Sequence, residues 1–96
     1  DKGDLAAANQ LKIAQILFNQ QKYKESSDLI LDKFRNVYAE ASENIVGKAY
    51  ILLSDNFVAL KNIPQAKATL KSIIDNSADT EVVELAKSKL STLPAK

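Results

Sequence analysis

The sequence predicts an all-α domain of about five helices, folded as antiparallel helix-turn-helix units. Three observations carry this. Turn residues are scarce, with two Gly and two Pro in 96 residues, too few for a sheet of short strands. Apolar residues recur at the three- and four-residue spacing of a helix face. The chain also matches itself when slid by 40 residues, a shift within the range of helical repeats.

Asp4 is placed to cap the first helix, since its carboxylate can accept orphan amides of a first turn. Ala7, Leu11, Ala14, Leu17 and Phe18 then stripe residues 5–19. Asn19, Gln20, Gln21 and Lys22 interrupt the stripe. Tyr23, Ser26, Ile30 and Phe34 begin a second, which breaks at Asn36 and Val37. Tyr38, Ala41, Ile45, Ala49, Leu52, Leu53, Phe57 and Leu60 mark a third helix. It spans about 20 residues, with its start somewhere in residues 38–44. Gly47 lies inside it, costing about 1 kcal/mol relative to Ala, and so marks a close approach of another helix.

Asn62 caps a fourth helix over residues 63–75, and Pro64 sits in its first turn, where a missing N–H costs nothing. The run from Asp75 to Asp79 is loop chemistry. Asp79 or Thr80 caps a last helix, with Glu81 favourable near its positive end. Val82, Val83, Leu85, Ala86, Leu90 and Leu93 are its apolar residues, and Pro94 stops it.

Composition narrows the function classes. Thirteen basic and twelve acidic side chains give a net charge of +1, which lacks the footprint of a nucleic-acid binder and the polybasic block of a membrane-surface protein. No apolar run approaches the roughly 18–20 residues of a membrane span. Without Cys or His, the chain has no thiol nucleophile, no disulfide and no usual zinc ligand set. The chain opens at Asp1 rather than Met and is expected to be a piece of a longer protein. Its location is open between cytoplasm and envelope.

No constellation for catalysis stands out. Ser26, Ser27 and Asp28 have no general base in sequence reach. Glu40, Glu43, Glu81 and Glu84 read as solvated helix faces. The Asp75–Asp79 run lacks the Gly and the bidentate Glu of a calcium loop. Lys67 and Lys71, one helical turn apart, read as a solvated face before an anion site. No enzyme activity, metal or cofactor is expected.

The self-match is specific. At a shift of 40, Leu11 meets Ile51, Ile13 meets Leu53, Leu17 meets Phe57, Tyr23 meets Ile63, Ile30 meets Leu70 and Phe34 meets Ile74. Small residues meet at Ala14/Ser54 and Ser26/Ala66. Large apolar residues flank a small one, a tight turn follows, then an aromatic or aliphatic residue, then a small one. This pattern resembles the tetratricopeptide repeat, a helix-turn-helix unit of about 34 residues that stacks into an α-solenoid. On that resemblance the chain is one domain, with repeat 1 at about residues 5–36, repeat 2 at about 38–76 and a capping helix at about 79–93. It departs from the family at the turn, where Gly is replaced by Gln21 and Lys61, in lacking the Pro after the second helix, and in its longer period. These departures resemble a divergent bacterial type.

The resemblance implies a protein–protein interaction module. A peptide or protein would lie in a concave face lined by the first helix of each unit. Carried over position by position, Ala8, Leu11, Gln15, Phe18 and Asn19 would line it in repeat 1, and Lys48, Ile51, Asp55, Val58 and Ala59 in repeat 2. The clamp that some members use for C-terminal carboxylates is not matched: only Lys48 and Asn19 are candidates, and Asp55 would repel such a ligand. The alternative is a structural solenoid segment, or a module that self-associates through its repeat edges.

Overall fold

The computed structural model describes residues 2–33 and 41–94, with side chains from 4 to 32 and from 41 to 94. Phe34, Asn36, Val37 and Tyr38, where the second helix was expected to end and the third to begin, lie outside them. The described residues form five packed helices: α1 (Lys2–Asn19), α2 (Tyr23–Asp28, continued by a π-helical stretch Leu29–Lys33), α3 (Glu43–Ala59), α4 (Ile63–Asn76) and α5 (Thr80–Ser91). The all-α expectation holds, and each boundary has a local cause.

The turn between α1 and α2 and the turn between α3 and α4 are the same turn, built 40 residues apart. Lys22 N–H donates to Leu17 O at 2.9 Å and Gln21 N–H to Phe18 O at 2.9 Å. Asn62 N–H donates to Phe57 O at 2.7 Å and Lys61 N–H to Val58 O at 3.0 Å. This paired pattern closes a helix with one left-handed residue, and that residue is Gln21 (φ 65°) in one turn and Lys61 (φ 64°) in the other. Both left-handed positions are held by residues with side chains, a conformation that Gly would relieve.

Three helices begin at side-chain caps, and two of these, Asn62 and Asp79, are the expected ones. Ser42 caps α3, accepting from Ile45 N–H at 3.4 Å. Asn62 caps α4, accepting from Gln65 N–H at 3.4 Å with Pro64 in the first turn. Asp79 caps α5, accepting from Val82 N–H at 2.9 Å. Asp4 does not cap. The first helix already begins at Lys2, and the Asp4 carboxylate accepts from Ser42 N–H at 2.7 Å, tying the start of α1 to the start of α3. The third helix has 17 residues, because the Ser42 cap starts it late in the expected window.

The small residues have a double use. Ala14 and Ala66 are fully buried, as is Ser26, and Ser54 nearly so. They let paired helices approach closely, as packing at interior density requires. Each pair also carries a hydroxyl bond across the hairpin. Ser26 Oγ donates to Ala14 O at 2.8 Å, and Ser54 Oγ donates to Ala66 O at 3.3 Å. The Ser sits on the second helix of one unit and on the first helix of the other.

α3 is the centre of the molecule. Its Ala49, Leu52 and Leu53 join Ala7, Ala14 and Ile30 in one core cluster. Its Ile51 joins Leu70, Ile73, Val82 and Ala86 in a second. Gly47 makes the close approach its position implies. A Cβ there would lie 2.9 Å from Val82 Cγ2, and nearer still to Val82 Cγ1. Asn56 is fully buried on α3, and its Nδ2 donates to Ser26 Oγ at 2.8 Å. The chain Asn56–Ser26–Ala14 therefore pins α3, α2 and α1 in one register.

Candidate functional site

α1 and α5 flank α3 along one side of the molecule. There a depression of about 280 Å³ is lined by Leu11 and Gln15 of α1, by Lys48, Ile51, Leu52 and Asp55 of α3, and by Leu85 of α5. Helical spacing explains the grouping. Leu11 and Gln15 are one turn apart on α1, and Lys48, Ile51, Leu52 and Asp55 are a continuous face of α3. α5 closes the third side because Gly47 admits Val82 against the α3 backbone.

Of the residues expected on a concave face, the structure brings Leu11, Gln15, Lys48, Ile51 and Asp55 together here. Phe18, Asn19 and Val58 line other surroundings. Phe18 packs on the first core cluster, with its ring 5.3 Å from that of Tyr23 and inclined at 66°. That edge-on contact suits two aromatic quadrupoles. Asn19 accepts from Gln15 Nε2 at 3.0 Å, which holds the Gln15 amide along the rim. Val58 is half-buried and outside the depression. Leu52 and Leu85 are lining residues that the repeat positions did not supply. Leu52 adjoins Ile51, and Leu85 comes from a helix taken as a cap.

The charges at this site are paired. Lys89 of α5 donates to both Asp55 oxygens, at 3.1 and 3.3 Å. Lys48 lies 3.9 Å from Glu81, also on α5. Glu81 further accepts from Asn44 Nδ2 at 2.6 Å. Glu43, at the start of α3, accepts from Ala78 N–H at 3.3 Å. Glu43 and Glu81 are therefore not simply solvated. They and Asp55 fasten α5 and its preceding loop to α3, at contacts 34 or more residues apart in sequence. What remains for a ligand is an aliphatic floor (Leu11, Ile51, Leu52, Leu85), one amide and two neutralised ion pairs.

A second depression, about 340 Å³, lies between α3 and α4, with Leu31, Leu53, Phe57 and Thr69 in its lining. It adjoins the end of the described segment at Lys33. The Asp75–Asp79 run is occupied with capping: Asp79 holds Val82 N–H, Ser77 Oγ accepts from Asp79 N–H at 3.1 Å, and Asn76 Nδ2 donates to Ser72 O at 2.9 Å. Among the described residues no group of three or more metal-ligating side chains converges, and no helix is long and apolar enough to cross a membrane. Comparison with known proteins gave no matching family model, no matching characterised protein and no matching solved structure.

Proposed function

We propose that the chain is a non-catalytic protein–protein interaction module of the tetratricopeptide-repeat kind. It binds a peptide or protein in the groove of α1, α3 and α5. One observation carries this. Leu11, Gln15, Lys48, Ile51 and Asp55, which the repeat resemblance assigns to one groove, line one depression although the α1 residues and the α3 residues are at least 33 positions apart in sequence. The aliphatic floor favours uncharged aliphatic side chains on the ligand, because burying a charge there would leave it unpaired. Neither a catalytic role nor a nucleic-acid partner is part of this reading.

The test is a selection from a random peptide-display library followed by titration of the enriched peptides. Gln15→Arg and Leu85→Arg should each weaken binding at least about tenfold, the equivalent of about 1.4 kcal/mol. Lys67→Ala, on α4, should leave it unchanged. Enriched peptides indifferent to both groove variants would refute the groove, and so would a selection that enriches nothing. A peptide ending in a free carboxylate clamp motif should not bind at submillimolar concentration.

A second reading is that the chain self-associates through a repeat edge. It is favoured by the exposure of Leu5, Ile13 and Ile16 on the outer side of α1.

A further inference from the structure

We infer that the end of the molecule formed by its two tight turns is a second partner surface, which takes an acidic, extended segment of another protein. It is separate from the groove and does not rest on it. α1, α3 and α5 run parallel: Asp4 of α1 is bonded to Ser42 at the start of α3, and Asn44 near that start to Glu81 near the start of α5. α2 and α4 return in the opposite sense, so the turns at residues 20–22 and 60–62 lie at one end. Asn56 of α3 is bonded to Ser26 of α2, and each tip lies about one helical turn beyond that bond. Packed helices are about 8–10 Å apart, which makes Lys22 and Lys61 the charges of neighbouring tips.

Charge is sorted between the two ends, and only one end has an internal reason. At the starts of α1, α3 and α5, Asp4, Glu43, Asp79 and Glu81 each accept a hydrogen bond inside the fold. The tip lysines have no such use. Among the described residues Lys22 and Lys61 make no ion pair and no side-chain hydrogen bond. Lys24 makes one exposed contact, with Asp28 at 3.5 Å. Glu25 follows them on α2, and Asp55 is already held by Lys89. Local structure also works against these lysines. Lys22 and Lys24 bracket the start of α2 and Lys61 precedes that of α4, where the helix dipole disfavours a cation. Lys61 holds its left-handed conformation besides. Nor is one lysine a copy of the other: at a shift of 40, Lys22 corresponds to Asn62 and Lys61 to Gln21. Each unit presents a lysine at its tip from a different position. Cations that the fold neither uses nor favours fit a partner of opposite charge.

The neighbours of these lysines favour a protein over other polyanions. Leu60, 43% exposed, adjoins Lys61 and offers an apolar contact that one aliphatic side chain of an acidic segment can match. A phosphate backbone makes no use of it. Three lysines also fall short of the four to eight, roughly, that hold an anionic membrane surface. An extended segment rises about 3.3 Å per residue, so carboxylates three residues apart reach both tips. The acidic end does not cancel the attraction. It lies about 25 Å away along the 17 residues of α3, well beyond the Debye length of about 8 Å at physiological salt. With so few charges the binding is weak and salt-sensitive.

The test is a heteronuclear NMR titration of the whole chain with a blocked peptide of sequence Glu-Glu-Leu-Glu-Glu, at low salt. Amide shifts should be confined to residues 20–24 and 60–63, saturate between about 0.1 and 1 mM, and weaken at least about tenfold in about 0.5 M salt. The double variant Lys22→Gln with Lys61→Gln should lose at least about tenfold in affinity. Lys12→Gln with Lys71→Gln makes the same charge change at exposed sites away from the tips and should bind as wild type. Gln15→Arg should leave the shifts in place, so a failure here is separable from a failure of the groove. Equal losses in the two double variants would reduce the effect to net charge and overturn the surface. So would shifts centred on the groove, or none that saturate. Binding to phosphatidylserine vesicles or to an oligothymidylate without a response to the peptide would overturn the assignment to a protein.

Discussion

Gly47→Ala sets two effects against each other, and the structure says which wins. Helix propensity favours Ala by about 1 kcal/mol at an interior position. The new methyl, however, would meet both γ carbons of Val82, with Cγ2 at 2.9 Å and Cβ itself at 3.0 Å. A β-branched side chain fully buried at an interface cannot rotate clear, since its two γ carbons and its Cβ are all in contact. The remaining response is for α5 to retreat from α3. Overpacking costs about 1–3 kcal/mol, and three contacts at 3.0 Å or less place this one in the upper part of that range, so the net effect after the propensity gain is a loss of about 1–2 kcal/mol. For a domain of this size that lowers Tm by about 5–15 °C. The assay is a double-mutant cycle with Val82→Ala, read by thermal and urea denaturation. In the Val82→Ala background both γ-carbon contacts are gone and only the 3.0 Å contact with Cβ remains, so Gly47→Ala should be neutral or stabilise by up to about 1 kcal/mol. The coupling should then be about 1–3 kcal/mol, within the range for residues in contact. A Tm that rises on Gly47→Ala alone, or a coupling near zero, would show that α5 does not rest on the Gly47 backbone.

Other outcomes follow from single contacts. Gln21→Gly and Lys61→Gly should each stabilise by about 0.5–1 kcal/mol, because relief of a left-handed side chain exceeds the entropy cost of Gly; chemical denaturation of the single and double variants checks this, and additivity is expected since the two turns share no contact. Ser26→Ala should cost about 2–3 kcal/mol and Ser54→Ala about 1 kcal/mol, since Ser26 Oγ serves Ala14 O and Asn56 Nδ2 while Ser54 Oγ serves Ala66 O alone; equal losses in urea melts would contradict the bridging role. Asp55→Asn should destabilise by less than about 1 kcal/mol, because the Lys89 pair is partly exposed, and the difference should shrink further in 1 M salt.

Residues whose backbone chemistry is distinctive were legible from sequence. Asn62 with Pro64, and Asp79 before Val82, announce helix starts because a short polar acceptor or a missing donor suits a first turn. Gly47 announces a close approach because little else accounts for Gly in a helix interior. Asp4 misled because its carboxylate is used across the fold, by Ser42, and no local pattern encodes that. The π-helical stretch at Leu29–Lys33 left no mark in a periodic stripe. The pairings of Asp55 with Lys89 and of Glu81 with Lys48 were hidden for the same reason: they join α5 to α3 at separations that only the docked helices define. On the groove face, spacing within one helix grouped Lys48, Ile51 and Asp55. It could not say that Phe18 would turn to Tyr23, or that Leu85 would close the third side.

The positions where the two units differ are as informative as those where they agree. Ala14/Ser26 and Ser54/Ala66 make the same contact with the hydroxyl on opposite helices. A close approach needs two small residues. The cross-helix bond needs only one hydroxyl and the facing carbonyl, and every residue supplies a carbonyl. Either helix can therefore carry the Ser, and a repeat can drift in identity while its geometry persists. Position 16 against 56 is different in kind. Asn56 is buried between units, where its amide fixes α3 on Ser26 and so selects one register among apolar alternatives. Ile16 is at an edge, where the described chain offers no register to fix. An interior interface specified by a polar bond, beside an outer face where Leu5, Ile13 and Ile16 are interleaved with exposed Asn9 and Lys12, fits a chain whose internal packing is unique. On that logic, Ile16→Asn should make α1 resemble α3 without supplying a Ser26 counterpart. It should leave the urea midpoint unchanged, because an exposed Asn on α1 gains no buried partner and loses none.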